Sequence, residues 1–105
     1  MPTDHNRKGL QPISLPVFYD ALSHAEKRAV RSRYIKLQGG LCYHCKARLD
    51  AEPPSSIKKT PINMKLFPTG FMDHPIHLQH SHETGLTEGS VHARCNAVLW
   101  QYHGQ

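Results

Sequence analysis

No stretch of the chain approaches the roughly 20 consecutive apolar residues that a membrane-spanning helix requires, and the opening segment Met1 to Gln11 is polar, without the hydrophobic core of a secretory signal. That reading excludes a membrane protein and leads us to expect a cytoplasmic one. Apolar residues are scarce throughout, 38% of 105, with a mean hydropathy of −0.56. This suffices for one domain with one modest core, to which metal ligation would be a useful supplement. Cysteine is limited to three residues, an odd count that argues against a closed disulfide framework. No internal repeat or low-complexity tract is evident. The C-terminal part nearly lacks basic residues, since only Arg94 of thirteen Lys and Arg lies beyond residue 65.

The cations are therefore concentrated at the other end. Residues 1–65 hold twelve against five acids, a balance of +7, whereas residues 66–105 hold one against three, a balance of −2. A basic half of this kind suits nucleic acid, because Lys and Arg that neutralise phosphates release condensed counterions.

Residues 1–17 mix charge, Gly9 and three prolines, and read as a basic flexible arm in which Arg7 and Lys8 are available to phosphate. Ser23-His24-Ala25-Glu26 has the pattern of a capping box opening a helix that runs to Gln38, where Gly39-Gly40 stops it. Val30, Tyr34 and Leu37 form its core stripe, and Lys27, Arg28 and Arg31 lie off that stripe as candidate phosphate contacts. Leu41 to Leu49 reads as a tight turn, with Lys46 and Arg48 as further basic candidates. Residues 51–70, rich in Pro, Ser and Lys, read as a surface insertion with at most one short strand around Ile62 to Phe67. Ile76, Leu78, His80 and His82 alternate with the period of a strand, and Glu83-Thr84-Gly85 supplies the turn of a hairpin. Ser90 is the expected N-cap of a final helix that carries Val91, Cys95, Val98, Leu99 and Tyr102 and ends at His103-Gly104. Trp100 and Tyr102 near its end have the chemistry to stack on bases, but as an aromatic pair closing an apolar helix they are expected in the core.

Cys42 and Cys45 in C-x-x-C spacing offer two soft ligands from one turn, and His92 and Cys95 offer two more, three residues apart on one helix face. The set makes a Cys3His tetrahedron for structural Zn²⁺, with His44 and His103 as alternatives to His92. Nine histidines are a heavy loading for so short a chain. A neutral imidazole deprotonates water near pH 7, and an Asn carboxamide holds a hard cation against a phosphate oxygen without adding charge. Phosphodiester hydrolysis needs both functions.

These residues also fall into a recognisable series. Gln79-His80-Ser81-His82-Glu83-Thr84-Gly85, followed by Gly89, His92 and Cys95-Asn96, resembles the D-H-x-H-x-T-G…G…C-x-x-C-N signature of recombination endonuclease VII-like HNH nucleases, and Gly39 to Cys45 is similar to that family's zinc knuckle. The run Val91 to Tyr102 resembles the small bacteriophage-encoded branch, and the similarity covers roughly half the chain once residues 51–70 are set aside. The resemblance implies an α+β, ββα-metal fold over residues 18–105, with a zinc knuckle between an N-terminal and a C-terminal helix. It implies a DNA endonuclease of low sequence specificity, nicking or cutting both strands, in which His80 is the general base, Asn96 holds Mg²⁺ or Mn²⁺, and His82 contacts phosphate or supports the site. Gln79 stands where the family usually has a metal-binding Asp, so the ion is expected to rest mainly on Asn96, with Gln79 and Asp73 as candidate further ligands. Duplex or branched DNA is the implied substrate. A homodimer, and phage DNA-processing or packaging proteins in the host cytoplasm, are the further associations the resemblance leaves open.

Overall fold

The computed structural model describes residues 14–104, so Arg7 and Lys8 of the expected arm lie outside the described residues. A 3-10 turn at Tyr19–Ala21 leads into α1, His24–Leu37. The capping box closes as expected: the Ser23 hydroxyl accepts from the Glu26 amide, and the Glu26 carboxylate accepts from the Ser23 amide. Val30 and Tyr34 are buried, but Leu37 is exposed and Ile35 packs inward instead. The expected stripe therefore shifts by a fraction of a turn at the helix end.

The segment after the C-x-x-C turn holds a short helix, α2, Ser55–Lys59, and a 3-10 turn at Met64–Leu66, and no strand forms around Ile62 to Phe67. A strand there would need a partner edge. The backbone of this segment is satisfied instead by side chains of the last helix: Arg94 donates to the carbonyls of Lys58 and Thr60, Gln101 and Tyr102 donate to that of Pro61, and the Asn63 amide donates to Gln101. Arg94, the one cation of the C-terminal part, is thereby committed to structure.

Strands β1 (Ile76–His80) and β2 (Thr87–His92) form an antiparallel hairpin whose register is irregular between Gln79 and His80. Ser81 organises the turn by accepting the Glu83 and Thr84 amides through its hydroxyl, and Gly85 follows at φ +80°. Helix α3, Ala93–His103, starts directly where β2 ends and stops at left-handed Gly104. Ser90 is not its N-cap. It lies inside β2, fully buried, with its amide donating to Gln38, its hydroxyl donating to the Arg31 carbonyl, and its own carbonyl accepting from Tyr43 and Gln38. The Gln38 carboxamide thus pairs with Ser90 as a neighbouring strand would, tying the end of α1 to the hairpin.

Side-chain alternation along β1 divides its neighbours. Leu78 packs with Val30 and Tyr34 of α1, whereas His77 meets Asn96 of α3. A second cluster of Cys42, Leu49, Val91 and Cys95 joins the C-x-x-C turn to β2 and α3. Among the described residues no helix is long and apolar enough to cross a membrane.

Candidate functional site

The C-x-x-C turn is shaped by its own backbone. The Cys42 amide donates to the Ala47 carbonyl and the Lys46 amide to that of Cys42, while Lys46 adopts a positive φ of 68°. Both sulfurs consequently point back toward the β2–α3 junction. There the one donor atom of each of Cys42, Cys45, His92 and Cys95 lies within 4.8 Å of the others. His92 Nδ1 is 3.4 Å from the Cys45 sulfur and 3.6 Å from that of Cys95. A tetrahedron with Zn–S of about 2.3 Å and Zn–N of about 2.05 Å has an S···N edge of about 3.6 Å, so the donors are already spaced for the ion. His92 Nε2 faces the carbonyls of Arg48 (2.8 Å) and Ala51 (2.9 Å), which requires its proton there and leaves the Nδ1 lone pair to the thiols. This engagement also explains why His92, the N-cap of α3, makes no side-chain capping bond.

Crowding sets the protonation of the thiols. A hydrogen bond from Cys95 holds the Cys42 thiol down, to about 4, and the same contact together with burial pushes Cys95 up. Burial raises Cys45. One thiolate is favoured at the expense of its neighbours, which a divalent cation would reverse. Cys42, Cys45, His92 and Cys95 thus form the candidate zinc site. His44 and His103 lie elsewhere, lining a separate depression with Tyr43, Lys46, Gln79, Glu88 and Leu99.

A groove of about 610 Å³ holds the other predicted groups, with Lys27, Arg28 and Arg31 of α1 on one wall and Asn96 and Trp100 of α3 on the other. Between them run His77, Leu78 and His80 of β1. Because β1 belongs to a two-stranded sheet, its outer edge is not covered by a third described strand, and residues from both of its faces reach the groove. His80 stacks on Tyr19 with ring centroids 3.9 Å apart and planes inclined by 12°, and Lys27 caps the Tyr19 ring at 4.1 Å. His82 lies 4.9 Å from His80 and meets Trp100 edge-on at 4.4 Å. Burial holds His80 below its ordinary 6.5, assisted by positive charge on His82 and Lys27 and opposed by Asp20. The imidazole is therefore a neutral acceptor at pH 7.

The Asn96 carboxamide is buried and its Nδ2 donates to His77 Nδ1 at 3.0 Å, which fixes its orientation and leaves its oxygen as the free end. His77, also held low by burial, was not singled out from sequence. No spacing rule points to it, because its role arises only where α3 crosses the hairpin. Its ring meets Phe71, which meets Phe67, which in turn meets Trp100, so an arc of rings follows the groove from Tyr19 to His77.

Several expected groups are elsewhere. Gln79 is buried, donates to Glu88 at 2.8 Å and to the His80 carbonyl, and opens into the depression beside His44 and His103. Asp73 is exposed and turned to the Gly70 bend. Neither lines the groove with Asn96, so the pairing of these residues around one ion does not follow from their positions. Lys46 donates to the Tyr43 carbonyl and Arg48 is paired with Asp50, both on the segment of the C-x-x-C turn and outside the groove. Trp100 and Tyr102, expected in the core, are 41% and 49% exposed because α3 directs Ala93, Cys95, Asn96, Ala97 and Val98 inward. Comparison with protein-family models, with curated proteins and with solved structures gives no match.

Proposed function

We propose that the protein is a zinc-stabilised, metal-dependent endonuclease that hydrolyses DNA phosphodiester bonds with low sequence specificity. The observation that carries this reading is the lining of one groove by a neutral imidazole, a fixed carboxamide and three cations: His80, Asn96, Lys27, Arg28 and Arg31. In this reading the α1 cations seat the phosphate, and His80, oriented by its stack on Tyr19, takes the proton of the attacking water. Asn96, its amide held by His77, turns an oxygen to a hard cation. Mg²⁺ or Mn²⁺ bound there, together with substrate phosphate, would supply charge for the phosphorane and the leaving oxygen. His82 supports the site through its contacts with His80 and Trp100.

The test is nicking of supercoiled plasmid by zinc-loaded protein with Mg²⁺ or Mn²⁺ added. His80→Ala should lower the rate by roughly 10²- to 10⁴-fold while zinc content and circular dichroism persist. Absence of cutting in the wild type on every DNA form would reject the enzyme.

One observation favours a second reading, a zinc module that binds nucleic acid without cutting it. Among the described residues no carboxylate lines the groove, and Gln79 is directed to Glu88. A divalent ion would then have one neutral protein oxygen to hold it, which is a poor site for Mg²⁺. DNA binding without cleavage would select this reading.

A further inference from the structure

Trp100 adds to the groove something that seating and cutting a phosphate does not require. Its indole lines the groove beside Asn96 and is 41% exposed, although residues 93 and 95–98 of the same helix are buried. The other rings are less free. Tyr19 is covered by His80 on one side and Lys27 on the other, Phe67 is buried, and Phe71 is engaged by Phe67 and His77. Trp100 touches its neighbours at steep angles, 84° to His82 and 61° to Phe67, rather than stacking on either.

We propose that the groove takes an unpaired nucleotide, its base stacked on the Trp100 indole and its phosphate held by Lys27, Arg28 and Arg31. The proposal rests on the nucleic-acid reading given above and names the form of DNA that fits it. Within a duplex each base is covered on both faces by its neighbours, so an indole could stack only by wedging a step open, at a cost of a few kcal/mol. An unpaired base offers its face without that cost, and aromatic platforms beside cationic tracks are the usual means of holding single strands. The volume agrees, since about 610 Å³ falls within the roughly 300–1,000 Å³ typical of sites for small molecules.

Trp100 is the single tryptophan of the chain, so its fluorescence reports directly on the site. Zinc-loaded full-length protein, without added Mg²⁺ or Mn²⁺, is titrated with a short single-stranded oligodeoxynucleotide and with the duplex of the same sequence. Quenching by the single strand and not by the duplex is expected. Trp100→Leu should weaken single-strand binding roughly five- to a hundredfold, measured by anisotropy of labelled DNA, and duplex binding by less, and Trp100→Tyr should restore most of the loss. Equal quenching by both forms, no quenching by the single strand, or unchanged single-strand affinity in Trp100→Leu would overturn the proposal. If Trp100→Leu fails to fold, the wild-type fluorescence comparison decides alone. Failure of the nuclease reading looks different: strand-selective quenching without cleavage keeps the stacking site, and cleavage without quenching removes it.

Discussion

The His80 imidazole sits between a stacked phenol ring and a second imidazole, with the Lys27 ammonium on the far face of the phenol. Burial first, then positive charge on His82, disfavour its protonated form; Asp20 opposes them, and Lys27 adds a smaller push in the same direction as burial. The sign for activity follows. A base held below its ordinary 6.5 is neutral and competent above that value, and its contribution is lost as pH falls through the lowered one. On the proposed nuclease reading, the acid limb of a pH–rate profile for plasmid nicking should accordingly have its midpoint below 6.5. Lys27→Met removes a positive charge, so the midpoint should move to higher pH, whereas Lys27→Arg should leave it in place. A limb moved to lower pH by Lys27→Met would mean that the titrating group is not His80. At the same scale the sequence was only partly informative. The four donors of the candidate metal site were identifiable from residue type and spacing, because ligand chemistry restricts both, whereas the roles of His80 and Asn96 rest on the family resemblance. His77 and the placement of Trp100 were not identifiable, since each depends on which face of α3 meets the hairpin.

At the scale of elements, α1 and the β1–β2 hairpin were legible because their signals are local: a capping box at Ser23, a glycine pair after Gln38, and alternation before the Ser81–Gly85 turn. The start of α3 was misread because Ser90 has the residue type of an N-cap while its backbone is bonded to Gln38 and Tyr43 across the sheet. Such tertiary bonds leave no mark on local sequence. Segment 51–70, read as an insertion with at most one short strand, forms none there, and its carbonyls are met by Arg94, Gln101 and Tyr102 of α3, contacts that local sequence likewise does not mark. Gly89 shows how closely the knuckle and hairpin approach. A Cβ there would lie 2.7–2.8 Å from Tyr43 side-chain carbons, including its Cβ, which cannot swing away without moving the turn. Gly89→Ala should therefore push the C-x-x-C turn off β2, costing about 1–3 kcal/mol of stability in denaturant titration and weakening zinc in a competition assay. Adding Tyr43→Gly removes the colliding atoms and should recover part of both losses. Equal stability of Gly89→Ala and wild type would show that the knuckle can shift at little cost.

The described residues pack around two small clusters, and two of the candidate metal donors, Cys42 and Cys95, are themselves members of one of them. The other donors belong to the knuckle and to the junction of β2 with α3, so the ion would join three segments separated by up to 53 positions along the chain, from Cys42 to Cys95. Structural zinc contributes about 10–16 kcal/mol of apparent binding energy at neutral pH, which equals or exceeds the roughly 5–15 kcal/mol net stability of an ordinary domain. Without it, three crowded thiols must share protons in a chain that is only 38% apolar. Removal of zinc by a chelator should thus abolish the cooperative thermal transition and most helical circular dichroism, and re-addition should restore both. His92→Ala should behave like the chelated protein. His92→Cys supplies a fourth sulfur and should keep one zinc per chain, but it loses the hydrogen bonds from Nε2 to the Arg48 and Ala51 carbonyls. Its affinity should fall by roughly 10- to 100-fold, the usual cost of removing the groups that orient a ligand. Asn96 directly follows Cys95, so loss of the ion should also release the carboxamide from His77 and, on the proposed nuclease reading, remove DNA cleavage together with the fold. A chelated protein that melts cooperatively at the temperature of the zinc-loaded form would show that the two apolar clusters suffice, and that the four donors stabilise the knuckle alone.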